Sequence, residues 1–453
     1  MKFLKKIFSP ILLLISLLLF IYTFYKSEFY WDGIMRDYYL IYYILSSLLV
    51  FLSFVSFFIG SKIKEYLIIL GMSSVVSLYA FEGYLTYKYS YYQKIKEKKK
   101  IYEKTTGNKF DTRPRLKVFE DLKKIEKNVS VKVSPQNWLK NNLKIFPFSS
   151  VSNSTTVYGI ENGYYFIYKS DRYGFNNPDD QWDKDEIEFL IVGDSFAMGE
   201  CVNRPYDFGS VLRDISNKSS LNLGYSSNGP NIQYAVLREY LDNRVNNVLW
   251  MYYEGNDLTD MMGTLKSSKV LNKYLNDLDF SQELKLKQDQ LDELNKIHIK
   301  EQLDYHNERE IRKEKYKLLR FIRLDKTKNV LKKIFKPDEE QILNDNVYIN
   351  FKNVLNLSQE LVKKNGSKFY FIYLPSFHRL HGQITNEQNN QKNKVISVIK
   401  ELGIEYIDIE REILLNNEDY LDLFPFGMYG HYSVNGYRIV SNIIYSNIYN
   451  NNK

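Results

Sequence analysis

Three apolar runs near the start of the chain limit its fold more than any other feature: about Ile7 to Tyr25, about Tyr38 to Gly60 and about Tyr66 to Tyr87. Each approaches or exceeds the roughly 20 residues that a helix needs to cross the hydrocarbon. The first run follows Lys2, Lys5 and Lys6 and so also fits a signal peptide. It lacks an evident small-x-small cleavage site, however, and two more such runs follow it, so three retained transmembrane helices are expected. Tyr22, Phe24, Tyr25, Tyr38, Tyr39, Tyr84 and Tyr87 lie near the ends of the runs, where aromatic belts form. Lys2, Lys5, Lys6, Lys62 and Lys64 favour a cytoplasmic N-terminus, which after three crossings leaves the large remainder outside. Lys94, Lys96, Lys98, Lys99 and Lys100 argue the other way; the first helix usually dominates, so an integral membrane protein with an extracytoplasmic domain is expected.

The formal net charge of +8 comes from 62 Lys and Arg interleaved with 54 Asp and Glu. That mixture reads as a solvated surface, and no nucleic-acid partner is expected. The single cysteine, Cys201, excludes an intramolecular disulfide and a Cys-rich zinc site.

Residues 1–88 therefore read as a membrane anchor, and the lipid bilayer as a partner. Residues 89–185 read as a charged stalk or juxtamembrane helices followed by a small β lead-in. The strands Ser154 to Tyr158 and Tyr164 to Tyr168 flank Glu161-Asn162-Gly163, a good hairpin turn because Asn and Gly tolerate positive φ. From residue 186 to 453 strands alternate with helices. Strands are expected at Glu188 to Val192, Leu221 to Leu223, Val248 to Tyr253, Lys368 to Leu374 and Glu405 to Ile409. Helices are expected near Phe208 to Ile215, at Ile232 to Asn243, Val347 to Lys364, Glu387 to Leu402 and Val434 to Ile448. This alternation implies an α/β fold with a parallel sheet, helices on both faces, and function at the strands' carboxyl ends. The insert at about 260–336 has Leu and Ile at helical spacing within dense charge; helical arms are expected, as a solvated excursion first, with a lid or an oligomer contact as the alternatives.

The strand Glu188 to Val192 runs into Gly193-Asp194-Ser195-Phe196, which places a serine hydroxyl where a strand hands over to a helix. Glycine permits the tight turn, and turn N–H groups can face a developing oxyanion. The second strand ends in Asn222-Leu-Gly-Tyr-Ser-Ser-Asn-Gly-Pro230, rich in backbone donors. The third ends in Glu254-Gly255-Asn256-Asp257, and a lone histidine stands in Gly430-His431 before the last helix. Serine, N–H donors, a carboxamide and an imidazole are the parts of an acyl-transfer site.

With these four blocks in this order the chain resembles the SGNH hydrolases, also called the GDSL family, over roughly Glu186 to the C-terminus. Ser170-Asp-Arg-Tyr-Gly-Phe-Asn-Asn-Pro178 and Trp250 to Leu258 resemble a membrane-attached bacterial branch. The resemblance implies a flavodoxin-like sheet, Ser195 as nucleophile and first oxyanion donor, Asn256 as an amide donor, and His431 as base. The second-block glycine of the family is Ser227 here; its backbone N–H survives, with Gly229 as the fallback donor. The aspartate three residues before the histidine is replaced by Met428. Either a Ser-His dyad operates or another carboxylate, such as Asp422 or Asp408, orients His431.

The function implied is serine-esterase or acyl-transfer chemistry, without cofactor or metal, on acyl esters of cell-envelope glycans. Two other readings stay open: a non-catalytic binding or assembly module with a decayed triad, and lipid-ester cleavage at the membrane surface. His378 and His381 follow a strand and are candidates for pocket lining. His298 and His306 are expected to face solvent, and Cys201 to be a buried small hydrophobe.

Overall fold

A computed structural model describes residues 2–139, 143–335, 343–415 and 420–450. The chain divides into two compact units: Met1–Lys94 with Lys315–Asp338, and Ile95–Glu314 with Glu339–Lys453.

In the first unit, helices Lys2–Phe24, Arg36–Val55 and Ser61–Lys88 are long and apolar enough to cross a membrane. The first continues through a wider turn at Tyr25–Tyr30. Small hydroxyl residues line its contact with the second: Ser9 donates to the carbonyl of Ser56 at 2.9 Å and Ser16 lies 3.2 Å from Ser53. In hydrocarbon, packing and interhelical hydrogen bonds must hold helices together, because apolar burial gains nothing against lipid tails.

The second unit holds two sheets. The strands in chain order are β1 Val129–Val131, β2 Thr155–Ile160, β3 Tyr165–Lys169, β4 Ile187–Gly193, β5 Ser220–Asn222, β6 Val245–Tyr253, β7 Lys368–Leu374 and β8 Glu405–Asp408. The large sheet is parallel throughout, in the order β5-β4-β6-β7-β8. Renumbered from its own first strand this is 2-1-3-4-5, the flavodoxin-like order, with the switch of direction beside β4. The continuous apolar run of β4 has a physical cause. Leu190 and Val192 join the core on one face of the sheet, Phe189 and Ile191 that on the other, and all four are fully buried.

The expected α/β architecture is therefore present, with most boundaries shifted by a few residues. The region read as a stalk or juxtamembrane helices is helical, and it adds a strand that was not expected. It holds helices Tyr91–Thr106 and Arg115–Lys123, then β1, which pairs in parallel with β2. A three-residue strand carries too little periodic signal to stand out in a charged segment. β2 and β3 form the expected hairpin, with a register irregularity between Val157 and Ile160.

The insert departs from a solvated excursion in both halves. Leu271, Tyr274, Leu284 and Leu291 are buried in the main core. Glu239 accepts the N–H groups of Gln282 and Leu284 and fastens the segment there. Its distal half, with helices Lys317–Ile322 and Asp325–Phe335, belongs to the unit of the membrane-length helices. His298 does not face open solvent: its ring centroid lies 4.7 Å from that of Trp138 and Gln302 is a hydrogen-bond partner at 2.8 Å. The His306 side chain lies outside the described residues.

Candidate active site

The turn after β4 is tight for steric reasons. A Cβ on Gly193 would stand 2.5 Å from the Ala197 Cβ and 2.7 Å from the Met251 carbonyl oxygen, so only glycine fits. Asp194 then caps the short helix Ser195–Met198 by accepting the Phe196 N–H at 2.8 Å. Ser195 opens that helix, where the first N–H groups have no intrahelical partner.

The Ser195 Oγ lies 2.8 Å from His431 Nε2. His431 sits between the turn Pro425–Gly427 and the helix Val434–Asn450. That helix start is held by the Ser433 N–H, which donates to Leu423 at 2.7 Å. Tyr432, fully buried, donates its hydroxyl to Pro375 at 3.1 Å. The imidazole also packs on Phe196, with centroids 4.7 Å apart.

The group that orients His431 is Glu161, from the β2–β3 turn. Its Oε1 lies 3.1 Å from Nδ1, and its Oε2 accepts the His431 backbone N–H at 2.8 Å. Asp408 and Asp422 do not take this place. Asp408 ends β8, where it pairs with Lys392 at 2.7 Å. Asp422 has Asn435 as side-chain partner at 3.4 Å while its carbonyl accepts the Ser433 hydroxyl.

The turn is held in place by contacts to the segment that follows the serine. Asn162 donates to the Cys201 carbonyl at 2.6 Å, and Asn203 accepts the Ile167 N–H at 2.9 Å. The stretch Ser170 to Pro178 adds a second tie. Asp171, fully buried, accepts N–H groups of Tyr173, Phe175, Asn177 and Trp182. Asn177 in turn pairs with both backbone groups of Asn222 at the end of β5.

The electrostatics hold both members of the Glu161–His431 pair in their charged forms. Burial opposes the charge on Glu161, but the His431 hydrogen bonds and charge outweigh it and hold the carboxyl down at about 2. For His431, burial likewise opposes protonation, but Glu200, Glu161 and Asp194 raise the imidazole to about 9. Glu200, missed in the sequence, lies 3.6 Å from the same Nε2 that meets Ser195. Burial lifts Asp194 to about 7 and Asp257 well above the usual carboxylate range.

Ser227 takes φ = 64°, the left-handed region, so the loop accepts a Cβ where glycine would be unstrained. Gly229 caps the helix Pro230–Tyr240; a Cβ there would meet the Met261 N–H nitrogen at 2.6 Å. Asn256 gives one amide N–H to Asp260 at 2.9 Å, which fixes the group's orientation and uses one of its two donors. Next to it, Glu254 accepts from Arg379, Tyr373 and the Ser376 N–H, tying the third block to the loop of His378 and His381. In that loop His381 stacks on Phe377 at 3.7 Å and His378 on Tyr429 at 5.4 Å.

Ligating atoms of Glu161, Cys201 and His431 lie within 4.8 Å of one another, close enough to share a cation. Two of these groups are already paired with each other. Burial, with Glu161 and Glu200 nearby, pushes the Cys201 thiol up and disfavours the thiolate that a metal needs.

No protein-family model matches the chain, and no curated protein does. Solved structures do. A lipolytic protein of the G-D-S-L family from Desulfitobacterium hafniense is 14% identical, with 57% of this chain and 98% of that one covered and a TM-score of 0.31. A member of the lipolytic G-D-S-L family from Veillonella parvula is 10% identical, covering 57% and 97%, with a TM-score of 0.31. A variant of an acetyl-xylooligosaccharide esterase from Geobacillus is 14% identical, covering 58% and 94%, with a TM-score of 0.31.

Proposed function

We propose that this chain is a membrane-anchored serine ester hydrolase or acyl-transfer enzyme of the SGNH type. The observation that carries the reading is the run of contacts from Ser195 Oγ to His431 Nε2 at 2.8 Å and from His431 Nδ1 to Glu161 at 3.1 Å. A nucleophile, a base in reach of it, and a group orienting that base form the arrangement that activates a serine.

In this mechanism neutral His431 takes the Ser195 proton as Oγ attacks the ester carbonyl. Glu161 holds Nδ1 protonated and stabilises the imidazolium that forms. The N–H of Ser195, an N–H of the Ser227 to Gly229 turn and the free hydrogen of the Asn256 amide receive the oxyanion. The alcohol leaves with the proton from His431, and water or a sugar hydroxyl then takes the acyl group by the same steps in reverse.

A cell-envelope glycan as substrate is supported by Tyr429. That residue, 62% exposed, stands two positions before His431 in the chain and stacks its ring on His378, so an exposed aromatic face is offered in the same loop as the base. An extracytoplasmic site is supported by the lysines that precede the first helix and lie between the second and third. Glu161 beside His431 supports the catalytic reading over a non-catalytic module, for which Met428 and Ser227 speak. A fluorophosphonate probe tests the core of the reading. Labelling lost in Ser195→Ala is expected, whereas a folded wild-type chain that takes no label overturns it. Release of acetate from acetylated glycans, compared with release of fatty acid from lipid esters, tests the substrate.

A further inference from the structure

Why a segment of the insert returns to the membrane-length helices is answered by Glu82. The helix Ser61–Lys88 has 28 residues, about 42 Å at 1.5 Å each, against a hydrocarbon layer of about 30 Å. Glu82 lies five residues before the end of its apolar run, about Tyr66 to Tyr87, and so close to where hydrocarbon gives way to headgroups. Its side chain is nonetheless buried, because the insert covers it. The carboxylate accepts the Lys326 N–H at 3.0 Å and both the N–H and the hydroxyl of Thr327 at 2.7 Å, capping the helix Asp325–Phe335. One turn earlier, Tyr79 donates its hydroxyl to the Ile322 carbonyl at 2.9 Å, and its ring meets that of Phe321 at 5.7 Å.

These contacts set the depth of a segment whose composition suits that depth. Lys315 to Phe335 carries eight Lys and Arg and one acid, Asp325. At helical spacing, Thr327, Val330, Leu331, Ile334 and Phe335 share one side of the second helix, and Lys326, Lys328, Lys332 and Lys333 the other. Thr327 is turned to Glu82, yet Leu331, Ile334 and Phe335 remain 44%, 65% and 81% exposed. In the preceding helix Leu318 and Ile322 are exposed as well.

We propose that Lys315 to Phe335 is an interfacial element that lies in the headgroup layer and binds acidic phospholipids. Its apolar side enters the acyl boundary next to the third membrane helix, and its basic side meets lipid phosphates. Charge complementarity and the depth set by Glu82 and Tyr79 select this occupant. The inference is independent of the catalytic reading.

The test uses the full chain in vesicles, with a nitroxide at Ile334→Cys or at Lys332→Cys and a control label at Lys400→Cys on the second unit. Vesicles of phosphatidylcholine alone are compared with vesicles containing phosphatidylglycerol. The label at 334 is expected to be open to oxygen and closed to a water-soluble relaxant. Adding phosphatidylglycerol should lower the relaxant's access at 332 by about threefold or more, with no change at 400. Replacing Lys326, Lys328, Lys332 and Lys333 by Glu, with the label at 334 alone, should release that label into water. Equal water access at 334 and 400 in both lipids overturns the proposal. So does protection at 334 that follows protein density and not lipid charge, which would assign the face to a second copy of the chain.

Discussion

Two turns meet at His431 and differ in how they get there. The Gly193–Phe196 turn is local: a strand, a glycine and a capping aspartate place Ser195 within four residues. The Glu161 turn belongs to a separate small sheet, 270 residues from His431 along the chain, and is held by bonds scattered over the chain: the Asp111 N–H to the Gly163 carbonyl, those to Cys201 and Asn203, and the Asp171 and Asn177 ties. A nucleophile has to sit at one point of the sheet, because the turn geometry and N–H groups it needs occur there. An orienting carboxylate needs only to reach Nδ1, so any element passing that atom can supply it. Met428 and Glu161 are consistent with such an exchange of source.

The contrast can be broken most directly at its remote end. Glu161→Gln should lower kcat/KM on an aryl acetate by about a hundredfold or more, since the imidazole loses its charged orienting partner. Asp408→Asn and Asp422→Asn should leave the rate near that of wild type; a large loss in either would move the orienting role away from Glu161. Asn256→Ala should cost about a hundredfold or more in kcat with little change in KM, as expected of a donor used in the transition state.

Glu200→Gln sharpens the electrostatic side. His431 must be neutral to accept a proton, and its raised value of about 9 puts the rising limb of activity well above the 6.5 of an ordinary imidazole. Removing the charge 3.6 Å from Nε2 should shift that limb to lower pH. A limb that stays in place would show that Glu200 does not act on the base. The smallest effect belongs to the local side. Ser227→Gly, at φ = 64°, should raise the unfolding free energy by about 0.5–1 kcal/mol, read from the denaturation midpoint.

Some of this was legible in the residues. The apolar runs, the Glu188 to Val192 strand, the Asn-Gly hairpin turn and the order of the four blocks are short-range patterns, set by side-chain hydropathy and backbone preference within about ten residues. β1 was not, being three residues long within charge. Nor was the burial of Leu271, Tyr274 and Leu284, whose helical spacing fits a solvated arm as well as a core.

The sequence alone determined that the chain has three membrane-length apolar helices, that an α/β sheet follows, and that Ser195 comes directly after its first strand. Only the tertiary structure decided that Glu161 faces His431, that Glu200 shares its Nε2, and that Thr327 covers Glu82. The reason is the reach of the interactions. Hydrophobic periodicity and turn chemistry act between near neighbours and leave a trace in the order of residues. A carboxylate that finds an imidazole, or a helix end that finds a buried acid, depends on distances that exist only once the sheets and helices have packed.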